Sequence, residues 1–99
     1  MDETYRDMSF VKPLPVAATL SDRVISVSSM SKSYGLPGIR IGWIICRNKE
    51  LMETFLAAKE QIFITNSVVD EEIAHRYLMN KEKLFAPVKQ MILNNFTVL

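Results

Sequence analysis

From Ser29 to Gly42 the sequence sets one lysine, Lys32, and one arginine, Arg40, among serines and glycines. That mixture serves two kinds of chemistry. A lysine amine confined in a partly apolar site gives up its proton more readily than one in water, and the free amine can attack an aldehyde to form an imine. Arg40 offers a planar guanidinium for bidentate contact with a phosphate, and Ser29 offers a hydroxyl to the same group. Gly38 and Gly42, on either side of Arg40, leave room for a ligand or another backbone to come close. Taken singly, Lys32 would be read as a solvated side chain and Arg40 as an exposed strand arginine. Together the glycines, Ser29 and Arg40 have the shape of a phosphate anchor beside a potential nucleophile.

The elements that must position these groups follow from local pattern. Val24, Ile25 and Val27, in the run from Arg23 to Ser28, predict a short strand buried on both faces, as in a parallel sheet. Serines, two glycines and Pro37 between Ser28 and Gly38 predict a turn, which places Lys32 just beyond that strand. Ile39 to Cys46 alternates Ile39, Ile41, Trp43 and Ile45 with Arg40, Gly42, Ile44 and Cys46, and predicts a second strand. Pro13 and Pro15 make Phe10 to Ala18 a loop or extended connection. Asn48 as N-cap, Glu50 at the positive helix start and the spacing of Leu51, Met52, Phe55 and Ile62 predict a helix to about Gln61. Ser67 with Asp70 predicts the start of another, carrying Ile73, Ala74, Tyr77 and Leu78 on one face and ending at Asn80. Lys81 to Asn95 repeats helical spacing, but Pro87 requires a first-turn position or a kink. The alternation implies an α/β class with two or three strands followed by helices.

A chain of 99 residues, 48% hydrophobic and 23% charged, sets one domain as the ceiling. Domains this small bury only about 60 to 70% of the surface their unfolded chains expose, so a cleft and a large core are hard to combine. The net charge of +1, from 12 basic and 11 acidic residues interspersed along the chain, gives no electrostatic reason to expect nucleic acid or membrane as partner. The single Cys46, in an apolar run, points to a reducing compartment and a packing role. Met1 to Asp7 carries charge of both signs, unlike a secretory signal, and no stretch approaches the roughly 18 apolar residues of a membrane span, so a cytoplasmic location is expected. His75 follows Glu71 and Glu72, but no second histidine completes a metal-ligand spacing, and no metal site is assigned. Tyr34, Phe55, Phe63, Tyr77 and the six methionines are assigned to packing.

The Ser29 to Gly42 segment resembles the lysine signature of the class I and II pyridoxal-phosphate-dependent aminotransferases, members of the fold-type I superfamily. Ser29 and Ser31 stand where that pattern has small residues three before and directly before the lysine. Leu36, Gly38, Arg40, Ile41 and Gly42 match the apolar, small, arginine, aliphatic and glycine positions after it. The resemblance implies pyridoxal 5'-phosphate as cofactor and Lys32 as the catalytic residue, holding it as a Schiff base and shuttling a proton between the substrate α-carbon and C4′. Ser29 and Arg40 would hold the phosphate. Asp2-Glu3-Thr4-Tyr5 resembles the family's stretch in which an aspartate pairs with the pyridinium nitrogen and a tyrosine three later hydrogen-bonds the ring hydroxyl. A carboxylate there keeps the nitrogen protonated, so the ring can accept electrons. The cofactor-binding set is then Asp2, Tyr5, Ser29, Lys32 and Arg40. The implied reaction moves an amino group between an amino acid and a 2-oxo acid, in a family that is typically homodimeric; related members eliminate or decarboxylate with the same lysine.

The resemblance covers nearly the whole chain in element order. It implies that residues 1–99 form a single partial domain, the later part of a fold-type I large domain running into the helix toward the small domain. Complete relatives have a seven-stranded, mostly parallel sheet. Their glycine- or serine-rich phosphate loop, the residue stacked on the cofactor ring and the arginine for the substrate carboxylate have no candidate here. Orientation can account for about 7 to 11 kcal/mol of a barrier, so a fragment with little or no turnover alone is expected. The alternative is a non-catalytic remnant or interaction fragment. Open strand edges and uncovered apolar faces lead us to expect association or partial disorder.

Overall fold

The computed structural model describes residues 1–97. Strands β1 (Ile25–Ser29) and β2 (Gly42–Cys46) pair antiparallel, with Ile25 opposite Cys46 and Ser29 opposite Gly42. On the other edge of β1, Asp2 bridges Val27 in parallel: the Val27 N–H donates to the Met1 carbonyl at 3.0 Å and the Glu3 N–H to the Val27 carbonyl at 2.8 Å. β1 is thus the middle of three backbone lines, in keeping with the two or three strands expected.

Three expectations about the strands are corrected. The parallel pairing foreseen for the Arg23 to Ser28 run is confined to the Asp2 bridge, and the longer ladder is antiparallel. β-branched residues suit both ladders, so composition could not separate them. Nor is β1 buried on both faces: Ser26 is buried, while Val27 is 38% exposed. The second strand also starts later than Ile39. Pro37–Ile39 form a single 3-10 turn and Arg40 adopts a left-handed backbone at φ 51°, so extended structure resumes only at Gly42.

Three helices follow, α1 (Lys49–Ile62), α2 (Val68–Met79) and α3 (Lys81–Phe96). The Asn48 Oδ1 accepts the Leu51 N–H at 3.1 Å, and the Ser67 Oγ accepts that of Asp70 at 3.4 Å, so both foreseen caps form. Asn80 ends α2, its N–H donating to the Arg76 and Tyr77 carbonyls at 3.3 and 3.1 Å. Pro87 lies inside α3 rather than in its first turn, and its missing N–H removes one bond of the helical ladder. No described helix is long and apolar enough to cross a membrane.

The core sits beneath the loop between the strands, where Met30, Tyr34, Ala74 and Phe85 cluster and Ile41, Trp43, Tyr77 and Val88 pack against them. The Tyr34 ring centroid is 5.8 Å from those of Tyr77 and Phe85 and 6.2 Å from that of Trp43, so α2 and α3 grip the loop through aromatic contacts. Packing for Tyr34 and Tyr77 holds. It fails for Phe63 and for Met1, Met52, Met79 and Met91, which are exposed. α1 has no buried residue, and its apolar side, with Met52, Phe55 and Ile62, faces an open groove beside Ile44 of β2. Helical spacing marks the face a layer would cover, and here no described layer covers it. Cys46 is half-buried, with its Sγ 3.8 Å from the Asn48 carbonyl, and His75 is exposed.

Candidate functional site

The loop joining β1 to β2 is tied at both ends and in the middle. The Met30 N–H donates to the Ile41 carbonyl at 2.9 Å, the Leu36 N–H to the Met30 carbonyl at 3.0 Å, and the Gly35 N–H to the Lys32 carbonyl at 3.0 Å. Gly35 makes the last turn possible with φ at 68°, where an L side chain would be strained. Met30 is 0% and Ser33 1% exposed, and Tyr34 is buried, whereas Lys32 between them is exposed. Anchors on both sides therefore hold the Lys32 backbone while its side chain projects outward. Among the described residues its Nζ has no salt-bridge partner.

Arg40 returns to the same loop. Its Nη1 donates to the Pro37 carbonyl at 2.8 Å and to the Ser31 Oγ at 3.4 Å, and the Ser29 Oγ accepts the Ser31 N–H at 3.4 Å. Ser29, Ser31 and Arg40 are thus brought together directly before Lys32, with Ser31 as the bridging member that sequence pattern marked only as a small residue. Arg40 also has no acidic partner among the described residues. The Arg40 cation beside the Ser31 hydroxyl, with Ser29 next to it, forms a donor set suited to an anion. The room left by Gly42 serves a second backbone: a Cβ there would lie 3.0 Å from the Ser28 carbonyl oxygen and 3.4 Å from the Ser29 Cβ. Gly38 has nothing within 4 Å of that position.

The Asp2 Oδ1 accepts the Thr4 hydroxyl at 2.6 Å and the Thr4 N–H at 2.9 Å, and these bonds hold the carboxyl below the usual carboxylate range. Paired residues on adjacent strands share a face, as do alternate residues along a strand, so Asp2, Val27 and Ser29 face one side of the sheet. Glu3 faces the other, where its Oε1 accepts the Ser26 hydroxyl at 2.8 Å and the Ala17 N–H at 2.7 Å. Tyr5 is 62% exposed, and no hydrogen bond among the described residues joins it to Lys32. The link between the two segments is Ser33, whose hydroxyl donates to the Thr4 carbonyl.

One group near the loop escaped sequence reasoning. The Asp7 Oδ2 accepts the Tyr34 hydroxyl at 2.6 Å and the Lys81 Nζ at 2.9 Å, while Arg6 lies 3.3 Å from Oδ1. Burial pushes the Asp7 carboxyl up, but the Tyr34 and Lys81 hydrogen bonds outweigh it and hold the group below its ordinary value. Burial, and then the adjacent Asp7 carboxylate, push the Tyr34 phenol well above its usual range. These partners lie 27 and 74 positions apart, beyond any local pattern.

Comparison with known proteins places these features in context. The profile of the family "Aminotransferase class I and II" matches residues 1–92. The HTH-type transcriptional regulator NorG of Staphylococcus aureus is 34% identical over 82 residues, 81% of this chain and 18% of that protein. A probable kynurenine–oxoglutarate transaminase of Saccharomyces cerevisiae is 27% identical over 103 residues, 98% of this chain and 23% of that protein. Among solved structures, a PLP-dependent aminotransferase from Streptococcus suis superimposes with a TM-score of 0.85 at 30% identity, over 98% of this chain and 25% of that one. The chain therefore spans about a fifth of the length of these curated relatives.

Proposed function

The chain belongs to the aminotransferase class I and II family, and we propose that its Ser29 to Gly42 segment is the cofactor-anchoring part of a pyridoxal 5'-phosphate site. One observation carries this reading. Lys32 is exposed between the buried Met30 and Ser33, directly after the Ser29, Ser31 and Arg40 cluster, and neither cation has an acidic partner among the described residues.

The donor set fits the group. Pyridoxal phosphate, when bound, supplies an aldehyde for covalent attachment and a ring that accepts electrons from a substrate's α-carbon. Arg40 and Ser29 bind its phosphate through charge-assisted and hydroxyl hydrogen bonds. Lys32 is the attachment point and afterwards carries a proton on Nζ to and from the α-carbon. Asp2, kept ionised by Thr4, holds the proton on the ring nitrogen, and the Tyr5 hydroxyl serves the ring oxygen. The reaction class is amino-group transfer between an amino acid and a 2-oxo acid, in an assembly that is homodimeric.

In this reading residues 1–99 are a single partial domain of a fold-type I large domain. No residue of this chain is assigned to the substrate's carboxylate. Since orientation can supply about 7 to 11 kcal/mol of barrier lowering, the isolated chain turns over little or not at all. Incubation with pyridoxal phosphate, borohydride reduction and peptide mapping test the site. A reduced adduct on Lys32, absent from Lys32→Ala, is the expected result; labelling no greater than in Lys32→Ala overturns the assignment.

A second reading, a cofactor site without turnover in a non-catalytic protein, is favoured by the similarity to a protein named as a transcriptional regulator. Covalent labelling of Lys32 without amino transfer in the longest available form of the protein would select it.

A further inference from the structure

We propose that Thr4 is the positioning residue of this site, fixing the spacing between the Asp2 carboxylate and the Lys32 loop. The inference rests on the cofactor reading given above.

Thr4 uses three polar groups at once. Its hydroxyl and its N–H both donate to the Asp2 Oδ1, at 2.6 and 2.9 Å, and its carbonyl accepts the hydroxyl of Ser33. Two donors on one oxygen select one carboxylate orientation and leave Oδ2 as the open acceptor. Ser33 is 1% exposed and directly follows Lys32, so its bond to Thr4 ties the backbone of the lysine loop to the residue that orients Asp2. The connection through the sheet is longer, running from the Asp2 bridge at Val27 along β1 to Ser29. Asp2 and Lys32 must meet opposite parts of one rigid ring, its nitrogen and its aldehyde carbon. A short, doubly anchored link between them sets a distance that neither side chain could set alone.

The roles of the hydroxyl and the carbonyl can be separated by substitution. Thr4→Val keeps the shape and removes the hydroxyl, Thr4→Ser keeps the hydroxyl, and Ser33→Ala cuts the tie to the loop without touching Asp2. Carboxyl titration of the cofactor-free chain by NMR reads the first link. Pyridoxal phosphate dependence of borohydride-trapped Lys32 reads the second, and thermal unfolding verifies that each variant is folded. In Thr4→Val the Asp2 midpoint rises toward the ordinary carboxylate value, and half-maximal labelling needs on the order of fivefold more cofactor, as for the loss of one hydrogen bond. Thr4→Ser behaves as the parent chain. Ser33→Ala leaves the Asp2 midpoint in place and weakens labelling. Parent labelling with Thr4→Val unchanged in both readouts, or Thr4→Ser as impaired as Thr4→Val, overturns the positioning role alone. Absence of Lys32 labelling in the parent overturns the cofactor reading and this inference with it.

Discussion

The Tyr34 hydroxyl donates to the Asp7 Oδ2 at 2.6 Å, joining the loop that carries Lys32 to the N-terminal segment that carries Asp2. Because the Tyr34 ring also packs among Trp43, Tyr77 and Phe85, one side chain connects both segments to α2 and α3. The loop is held by the core, so the exposure of Lys32 arises on a rigid support.

Removing that hydroxyl should cost stability without changing the ring packing. Tyr34→Phe leaves Asp7 with Lys81 at 2.9 Å but deprives it of its shorter partner. A hydrogen bond to a charged group contributes about 1.5 to 3 kcal/mol, and retention of Lys81 puts the expected loss near the lower end. Urea unfolding of the two chains measures it; equal midpoints would show that the Tyr34 hydroxyl contributes nothing to the anchor.

The same pair gives stability a pH dependence on both sides of neutrality. The Asp7 carboxyl is lowered in the folded chain, so its contribution is present above the unfolded carboxylate value of about 3.9 and is lost as pH falls through the lower folded value. The Tyr34 phenol is raised, so its contribution is present below the unfolded value of about 10 and is lost as pH climbs above it. Thermal melts across the pH range should show a plateau between these limits, and Tyr34→Phe should remove the alkaline fall attributable to this residue. An alkaline limb identical in both chains would contradict the assignment.

Some of this architecture was legible in the sequence because it is local. Asn48 and Ser67 cap their helices through bonds to residues three positions on, and the serines, glycines and Pro37 between Ser28 and Gly38 mark the turn that carries Lys32. What was not legible depends on distant partners. β-branched residues in β1 fit parallel and antiparallel neighbours alike. Arg40 sits in an alternating pattern that reads as strand, yet the Pro37–Ile39 turn carries it into a left-handed conformation. The apolar stripe of α1 is real, but helical periodicity says nothing about whether the covering layer lies within these residues. Asp7, Tyr34 and Lys81 come together only through the tertiary fold.

Gly42 gives a direct test of how closely the strands must approach beside Ser29. A Cβ at this position would lie 3.0 Å from the Ser28 carbonyl, a backbone atom that cannot rotate away. Gly42→Ala should therefore destabilise the chain by about 1 to 3 kcal/mol, the usual cost of overpacking. Gly38→Ala, with nothing within 4 Å, serves as the control and should remain within about 0.5 kcal/mol of the parent. Equal effects of the two substitutions in urea unfolding would show that the strands yield at Gly42.

Arg40 combines a strained backbone with the cation assigned to the phosphate, and two substitutions separate these properties. At φ 51° a residue with a Cβ carries a cost of about 1 to 2 kcal/mol that glycine avoids. Arg40→Ala keeps that cost and loses the contacts to Pro37 and Ser31; Arg40→Gly loses the same contacts but is relieved of the strain. Glycine's larger chain entropy in the unfolded state offsets part of the relief, about 0.5 to 1 kcal/mol, so Arg40→Gly should be the more stable of the two by up to about 1.5 kcal/mol. Both should weaken pyridoxal phosphate labelling of Lys32 by about 10- to 100-fold, the range expected for losing a charge-assisted contact. Urea unfolding and cofactor titration on the same samples give the two answers independently. Greater stability of the alanine variant would remove the strain argument, and undiminished labelling in both would remove Arg40 from the phosphate site.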